Sequence, residues 1–168
     1  MTVIATLVLG SDGSSTINSS SAGLSSLADR ERFLERRRGF DVLIIGGNTA
    51  RNERYRTTPA PVVVLSHSRP DLLDINPLSQ WWNCTPSEAI DKARTQFGES
   101  IGIEAGWTIV RELLESGAID ECEVSVSPVS GGENLVNLEF LLSHFHDISI
   151  SDVDGTTFYS CRGNDRHS

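Results

Sequence analysis

The sequence predicts an α/β domain with a mixed, mainly parallel sheet that ends in an antiparallel hairpin. Three observations lead to this fold class. Short apolar runs rich in β-branched residues recur along the chain, as in strands that are buried on both faces. Segments with helical character separate these runs, which is the order of strand–helix–strand units. Near the end, two alternating segments flank Asp154-Gly155, a typical hairpin turn.

The first quarter of the chain predicts a strand, a loop and a helix. Residues 2–9 are apolar, carry no basic flank and are too short to span a bilayer, so we interpret them as a strand. Residues 11–26 are rich in Ser and Gly and predict a mobile loop. Good helix formers fill residues 27–38, and Gly39 is placed to end that helix.

The middle of the chain alternates buried strands with one well-marked helix. Residues 41–45 and 61–65 are continuous apolar runs that predict strands, and residues 81–84 predict a shorter one. In the string of residues 85–88, Thr is an N-cap, Pro takes the first helical position and Glu completes a capping box. This helix should continue to about Phe97.

The last third of the chain contains another strand–turn–helix unit and then mainly strands. The predicted elements are a strand at 101–104, a helix at 107–116, a strand at 121–126 and hairpin strands at 147–153 and 156–161. We expect one domain over residues 1–162. The polar residues 163–168 are predicted to be a frayed tail.

Length and charge restrict the classes of partner. A chain of 168 residues with 38% hydrophobic residues has the size and the core of one domain. A net charge of −9 disfavours nucleic acid and acidic membranes as partners, because both require a basic surface. Nine of the 14 basic residues nevertheless lie between Arg30 and Arg69, with four acids, which indicates an anionic small ligand. The alternative is that these arginines form a solvated helix face and loop.

The cysteines and histidines indicate neither a disulfide framework nor a metal site. Cys84, Cys122 and Cys161 are odd in number and far apart, which predicts a reducing, cytoplasmic setting. His144 and His146 form a His-x-His pair without an acidic partner at ligand spacing, so we predict no metal.

Two glycine turns follow predicted parallel strands. One begins at Gly46-Gly47, and the other is Glu104-Ala105-Gly106. Backbone N–H groups in such turns can approach a phosphate, and the start of the next helix favours negative charge. Neither turn has the spacing of a dinucleotide fingerprint or a P-loop, so ordinary turn chemistry is the alternative.

Five strings, taken in order, carry a resemblance to a known family. They are Ser11-Asp12-Gly13, residues 41–52, residues 61–69, Ile103-Glu104-Ala105-Gly106 and residues 114–121. With these strings the chain resembles the reductase domain of the bifunctional riboflavin-biosynthesis enzymes. The resemblance covers nearly the whole chain, and the five strings together are far more specific than any one of them.

The resemblance implies a fold and a reaction. The fold would be the three-layer dihydrofolate-reductase-like fold, and the hydride donor would be NADPH. The reaction would reduce 5-amino-6-(5-phosphoribosylamino)uracil, or the related diaminopyrimidinone, to the ribitylamino product. The resemblance also implies a homodimer. No deaminase string, His-x-Glu with Pro-Cys-x-x-Cys, occurs in the sequence, so we expect a reductase alone.

The resemblance also assigns residues to the cofactor and the substrate. The cofactor residues would be Gly46, Gly47, Thr49, Glu53, Ser66, Arg69, Gly106, Trp107, Thr108 and Ile109. The substrate residues would be Ser21 and Arg37 at the phosphate and Glu104. A guanidinium can bind a phosphate through two parallel hydrogen bonds, which suits Arg37, and Ser66 with Arg69 could read the 2′-phosphate of NADPH.

Two acids in the matched strings are candidate catalytic residues. Asp12 or Glu104 could orient the substrate amine or open-chain imine, and Glu104 is the preferred candidate. The alternatives are that Asp12 stabilises the turn it shares with Gly13 and that Glu104 caps the helix that follows it.

Three departures from the family bear on the function. The basic residue usually found in the first strand is absent from residues 6–8, Glu104-Ala105-Gly106 replaces Glu-Gly-Gly, and Arg54-Tyr55 replaces Asp-Pro. The alternatives are therefore a reductase of another small heterocycle or a non-catalytic nucleotide-binding relative.

Overall fold

Two sheets organise the part of the chain that the structure, a computed structural model, describes, namely residues 2–164. The larger sheet has eight strands in the order β5-β4-β3-β6-β1-β7-β10-β9, and β2 pairs with β8 in the smaller one. The strands are β1 (Thr2–Leu9), β2 (Ser14–Thr16), β3 (Val42–Gly46), β4 (Val62–Leu65), β5 (Ser79–Trp82), β6 (Ser100–Ile103), β7 (Glu121–Val126), β8 (Glu133–Leu135), β9 (Phe145–Val153) and β10 (Thr156–Asn164).

Five α-helices connect these strands within the described residues. They are α1 (Leu27–Arg37), α2 (Gly47–Asn52), α3 (Pro86–Gln96), α4 (Trp107–Glu115) and α5 (Leu138–Leu142), and a short 3-10 helix covers Asp71–Asp74. The capping box predicted for α3 is confirmed: Thr85 accepts from the Glu88 N–H, and the Glu88 side chain accepts from the Thr85 N–H. Ser26 caps α1 through a hydrogen bond from the Asp29 N–H.

The predicted fold class is confirmed. Strands β5, β4, β3, β6, β1 and β7 are parallel, and the β9–β10 hairpin adds antiparallel strands beside β7. Because the parallel strands run in one direction, their carboxyl ends meet at one edge of the sheet, where ligands bind in open α/β sheets. Both predicted glycine turns lie at this edge, after β3 and after β6.

The core lies on both faces of the large sheet. One face packs under α3, α4 and α5 and contains Ala5, Ile44, Ile103 and Val110. On the opposite face, Leu43, Ile45 and Tyr55 are among the members of a smaller cluster, and α1 lies against the central strands of this face. These three layers account for the continuous apolar runs in β3 and β4, whose residues are buried on both faces.

The Ser-rich segment is more ordered than the sequence predicts. It contains β2, which pairs with β8 more than a hundred residues later, and an isolated bridge between Ile17 and Ser20. Gly13 at φ +89° makes the turn into β2 and receives a hydrogen bond at its carbonyl from the Val136 N–H. The composition of this segment is typical of loops, but pairing with β8, far along the chain, makes part of it a strand.

Other predicted boundaries shift by a few residues. Strand β5 begins at Ser79 and ends at Trp82, two residues earlier than expected. Strand β10 continues through Gly163 to Asn164, whose buried side chain donates to the Ile119 carbonyl, so these two residues extend the hairpin beyond the predicted domain end. The remainder of the predicted tail, residues 165–168, lies outside the described residues. No helix in residues 2–164 is long and apolar enough to cross a membrane.

Candidate active site

A buried polar cluster lies just beyond the end of β6. The Arg37 Nε is 3.0 Å from each carboxylate oxygen of Glu104, and Arg37 Nη2 is 2.7 Å from Glu104 Oε2. The Tyr55 hydroxyl donates to the same Oε2 at 2.5 Å. All three residues are buried, with exposed fractions of 6% for Arg37, 7% for Glu104 and 3% for Tyr55. The cluster therefore joins α1, the segment after α2 and the sheet.

Two aromatic rings hold the Arg37 guanidinium in this cluster. Its central carbon lies 4.3 Å from the Phe33 ring centre and 4.5 Å from the Tyr55 ring centre. Burial disfavours the charge on Arg37, but the hydrogen bonds and the attraction of Glu104 outweigh it and raise the pKa of Arg37. Burial, followed by the charge of Glu104, raises the pKa of Tyr55 well above its usual value, so its hydroxyl stays a donor.

The geometry gives Arg37 a partner within the protein. The family resemblance assigns Arg37 to the substrate phosphate, and in the structure its guanidinium lies on Glu104 inside the protein. The reason is burial: a cation in this position needs a carboxylate partner, and Glu104 is within hydrogen-bond distance. Glu104 does not cap α4, because the N-cap is Gly106 and the Glu104 carboxylate faces Arg37 and Tyr55. Tyr55 is a site residue that the motifs missed.

Arg36 supplies positive charge next to the first strand. Its Nη1 lies 3.5 Å from the Thr6 hydroxyl, and its Nη2 lies 3.6 Å from the Glu123 carboxylate. Thr6 belongs to residues 6–8, where the family's basic residue is absent. A guanidinium from α1 thus lies over β1, in the part of the sheet that lacks a basic side chain of its own.

Asp12 stabilises its own turn. Its Oδ1 accepts from the Ser14 hydroxyl at 2.5 Å and from the Ser14 N–H at 3.1 Å, and its Oδ2 accepts from the Gly131 N–H at 2.9 Å. These hydrogen bonds lower the pKa of Asp12 to about 2, and the one from the Ser14 hydroxyl has the largest effect on it. The contacts favour the alternative that Asp12 stabilises its own turn. Both of its carboxylate oxygens already accept hydrogen bonds, one from Ser14 in the turn and the other from Gly131 in the loop before β8.

Two residues assigned to different ligands lie together. Glu53, expected at the cofactor, accepts from the N–H of Ser21, expected at the substrate phosphate, at 2.5 Å. The same oxygen accepts from the Ser20 hydroxyl at 3.2 Å. Glu53 therefore fixes the Ser-rich segment to the end of α2, and the structure gives its carboxylate a role within the protein.

The predicted cofactor residues cluster at the ends of β3, β4 and β6. A methyl group on Gly47 would lie 3.1 Å from the Ser66 side chain, and one on Gly46 would lie 3.1 Å from Ile109. Gly46 and Gly47 therefore allow the turn after β3 to pass close to both neighbours. Thr49 is half-buried within α2, one turn from Gly46. The structure thus brings Gly46, Gly47, Ser66 and Ile109 together.

The start of α4 is open to a ligand. Gly106 is the N-cap, and no side chain of the described residues caps the helix. Apart from its two chain neighbours, a methyl on Gly106 would meet no atom of residues 2–164 within 4 Å. The first N–H groups of a helix, here those of Trp107, Thr108 and their neighbours, have no intrahelical partner and attract anions. An open glycine beside these donors fits the pyrophosphate of a dinucleotide.

Arg69 is held on the surface by Asp74. Two hydrogen bonds, of 2.9 and 2.7 Å, join the guanidinium to the Asp74 carboxylate, and both side chains are at least half exposed. The hydrogen bond from Arg69 lowers the pKa of Asp74. Exposed ion pairs contribute little to stability, so a phosphate could replace Asp74 as the partner of Arg69.

A cavity of about 280 Å³ lies at the ends of β1 and β7. Gly10, Asp12 and Val126 line one side of it, and Val136 and Asn137, just before α5, line the other. The half-buried Trp107 packs edge-on against Phe140 of α5 at 6.2 Å. Helix α5 thus connects this cavity with the open start of α4.

Comparison with protein families identifies the chain. The model of the RibD C-terminal domain matches residues 1–154. The chain belongs to the RibD C-terminal domain family. This match confirms the resemblance that the five sequence strings indicate, over nearly the whole chain.

Solved structures agree with the family on the fold. A deaminase/5-amino-6-(5-phosphoribosylamino)uracil reductase from Thermotoga maritima has a TM-score of 0.72 at 13% identity, over 96% of this chain and 56% of that chain. RibD from Acinetobacter baumannii has a TM-score of 0.69 at 16% identity, over 96% of this chain and 57% of that chain. A pyrimidine reductase-like protein from Corynebacterium diphtheriae has a TM-score of 0.64 at 13% identity, over 96% of this chain and 91% of that chain.

The chain spans a little over half of the Thermotoga maritima and Acinetobacter baumannii proteins and nearly all of the Corynebacterium diphtheriae protein. No curated protein matches it. Identities of 13–16% establish the fold alone, so the membership in the RibD C-terminal domain family rests on the family model and not on these structures.

The Arg37–Glu104 pair predicts a distinctive pattern of stabilities. Arg37→Met should lower the free energy of unfolding by about 3–5 kcal/mol, because it leaves Glu104 buried and unpaired. Arg37→Met combined with Glu104→Leu should cost less than Arg37→Met alone. Urea denaturation monitored by circular dichroism measures both. The control pair, Arg111 and Glu115, is exposed, and its removal should cost less than about 1 kcal/mol. A double variant that is at least as destabilised as Arg37→Met alone would contradict a coupled pair.

The lowered pKa of Asp12 predicts a pH-dependent contribution to stability. An aspartate with a depressed folded-state pKa stabilises above its unfolded value, near 3.8, and loses this effect as the pH falls through about 2. The melting temperature of Asp12→Asn should therefore lie below that of the wild type by a constant amount above pH 4. The two values should converge between pH 4 and pH 2. A difference that persists unchanged at pH 2 would show that the carboxylate charge is not what stabilises the turn.

Proposed function

We propose that the chain is an NADPH-dependent reductase of 5-amino-6-(5-phosphoribosylamino)uracil or the related diaminopyrimidinone, giving the ribitylamino product of riboflavin biosynthesis. The family match over residues 1–154 carries this proposal. The open start of α4 beside the Gly46-Gly47 turn supports its cofactor part. On the same family resemblance we propose a cytoplasmic homodimer.

On the cofactor side, backbone donors do most of the binding. The first N–H groups of α4, at Trp107 and Thr108, would hold the pyrophosphate next to Gly106. Ser66 and Arg69 would bind the adenosine and its 2′-phosphate, and Thr49 would contact the cofactor from α2. When bound, NADPH supplies the hydride. The protein's part is to fix the donor against the substrate carbon and to exclude water.

On the substrate side, we propose that Glu104 orients the substrate nitrogen. Glu104 Oε2 accepts from Arg37 Nη2 and from Tyr55, whereas Oε1 shares with Oε2 the single N–H of Arg37 Nε. Oε1 therefore keeps the capacity to accept a hydrogen bond from the substrate amine or imine. The Glu104 carboxylate, ion-paired to Arg37, would stabilise the positive charge of the imine nitrogen once that nitrogen has taken up a proton from solvent. The hydride then adds to the carbon while the C=N electron pair moves to the nitrogen, which leaves a neutral amine.

The phosphate end of the substrate leaves a second candidate function open. Arg37, which the family resemblance places at that phosphate, is committed to Glu104, and Ser21 is tied to Glu53 through its N–H. Ser21 can still offer its hydroxyl. This rearrangement favours, as the second candidate, a reductase of another small heterocycle on the same cofactor site. A non-catalytic nucleotide-binding relative is a further alternative.

A titration of the purified protein tests the proposal directly. NADPH binding should be micromolar by nicotinamide fluorescence, and adding the ribosylaminopyrimidine phosphate should oxidise the bound NADPH. Glu104→Gln should retain NADPH binding and lose about 100-fold in turnover if Glu104 stabilises the positive charge of the protonated substrate nitrogen. Binding without oxidation would favour the second candidate, and no binding would refute the reductase. Full turnover in Glu104→Gln would remove Glu104 from the mechanism.

Arg69 should determine the preference for NADPH over NADH. Arg69→Ala should raise the Kd for NADPH about tenfold through loss of a charge-assisted contact and leave the Kd for NADH unchanged. Fluorescence titration with each cofactor measures the ratio. The control is Arg162→Ala, which removes another exposed arginine, on β10, that is likewise paired with a carboxylate, that of Glu121. Equal effects on NADPH and NADH would contradict the assignment.

A further inference from the structure

The two adjacent tryptophans of β5 differ in their surroundings. Trp82 is 6% exposed and stacks on Phe97 with ring centres 6.2 Å apart. Trp81 is 38% exposed, although its backbone is level with Val64 in the interior of the neighbouring strand. Trp82 is thus a core residue, whereas Trp81 presents part of its indole to solvent.

A hydrogen bond fixes the indole of Trp81 next to the predicted cofactor residues. Its Nε1 donates to the Ser66 carbonyl at 3.0 Å, so the ring reaches from the level of Val64 to the carboxyl end of β4. Ser66 in turn adjoins Gly47, whose added methyl would lie 3.1 Å from the Ser66 side chain. Gly47, Ser66 and Trp81 therefore form a continuous surface across the ends of β3, β4 and β5.

The chemistry of this surface suits one part of a dinucleotide. A flat aromatic ring that is held in place by a hydrogen bond can stack on a purine with little loss of side-chain freedom. The loop that starts at Ser66 also carries Arg69, a cation for a phosphate. An aromatic face and a cation on one short stretch of the sheet edge match adenine and the 2′-phosphate of the same nucleoside.

We propose that Trp81 is the surface on which the adenine of the dinucleotide stacks. The inference rests on the proposed function for the presence of the cofactor, and it adds a residue that the matched motifs do not contain. Trp81 binds and positions the adenosine end and takes no part in hydride transfer. Its substitution should therefore change the Kd of adenosine-containing ligands.

Binding of 2′,5′-ADP, which carries the adenosine with its 2′- and 5′-phosphates and lacks the nicotinamide half, tests the proposal. Trp81→Ala should raise the Kd for 2′,5′-ADP about tenfold, and Trp81→Phe, which keeps a ring, about twofold. Reduced nicotinamide mononucleotide, which lacks adenosine, should bind both variants as it binds the wild type. In the wild type, 2′,5′-ADP should quench tryptophan emission, and Trp81→Phe should lose most of that quenching.

Leu78→Ala is the matched control, because Leu78 is 46% exposed just before the same strand and should leave every Kd unchanged. Wild-type binding of 2′,5′-ADP with an unchanged Kd in Trp81→Ala would overturn the stacking proposal and leave the proposed function intact. An unchanged Kd with an altered sedimentation coefficient would overturn it in favour of a contact between copies of the chain. Failure of the wild type to bind 2′,5′-ADP or NADPH would overturn both proposals.

Discussion

A buried ion pair between Arg37 and Glu104 joins helix α1 to the middle of the sheet, and the fold around the site depends on it. Helix α1 leaves Leu27 and Leu34 exposed and docks instead through polar side chains. Arg36 reaches Thr6 and Glu123, and Asp29 accepts a hydrogen bond from Ser125. A buried polar group costs free energy unless it is paired, so a shift of α1 along the sheet would leave several groups unsatisfied.

The same contacts divide the candidate site into two parts of different character. At the ends of β3 and β6, glycines keep backbone groups open, which suits a ligand held by N–H donors. Next to α1, side chains fill the space: Arg37, Glu104 and Tyr55 satisfy one another. The departures from the family fall mainly on this second part.

Local signals in the sequence predicted most of the fold. The capping box at Thr85, the apolar runs of β3 and β4 and the hairpin around Gly155 depend on neighbouring residues and could be read directly. Contacts between distant residues could not. The pairing of β2 with β8 and the hydrogen bond from Tyr55 to Glu104, 49 residues apart, have no local periodicity. The motif placed Glu104 correctly at the end of a strand, but its partners follow from the packing of α1.

The direction of the Ala105 side chain decides whether an alanine in Glu104-Ala105-Gly106 blocks the start of α4. Side chains alternate along β6 and just beyond it, so Ile103 and Ala105 join the core on one face while Glu104 faces α1 on the other. The methyl of Ala105, 6% exposed, therefore points away from the opening. At Gly106, an added methyl would have no atom of residues 2–164 within 4 Å apart from those of its two chain neighbours. Loss of the first glycine thus leaves the α4 start accessible, whereas a side chain at Gly106 would occupy it.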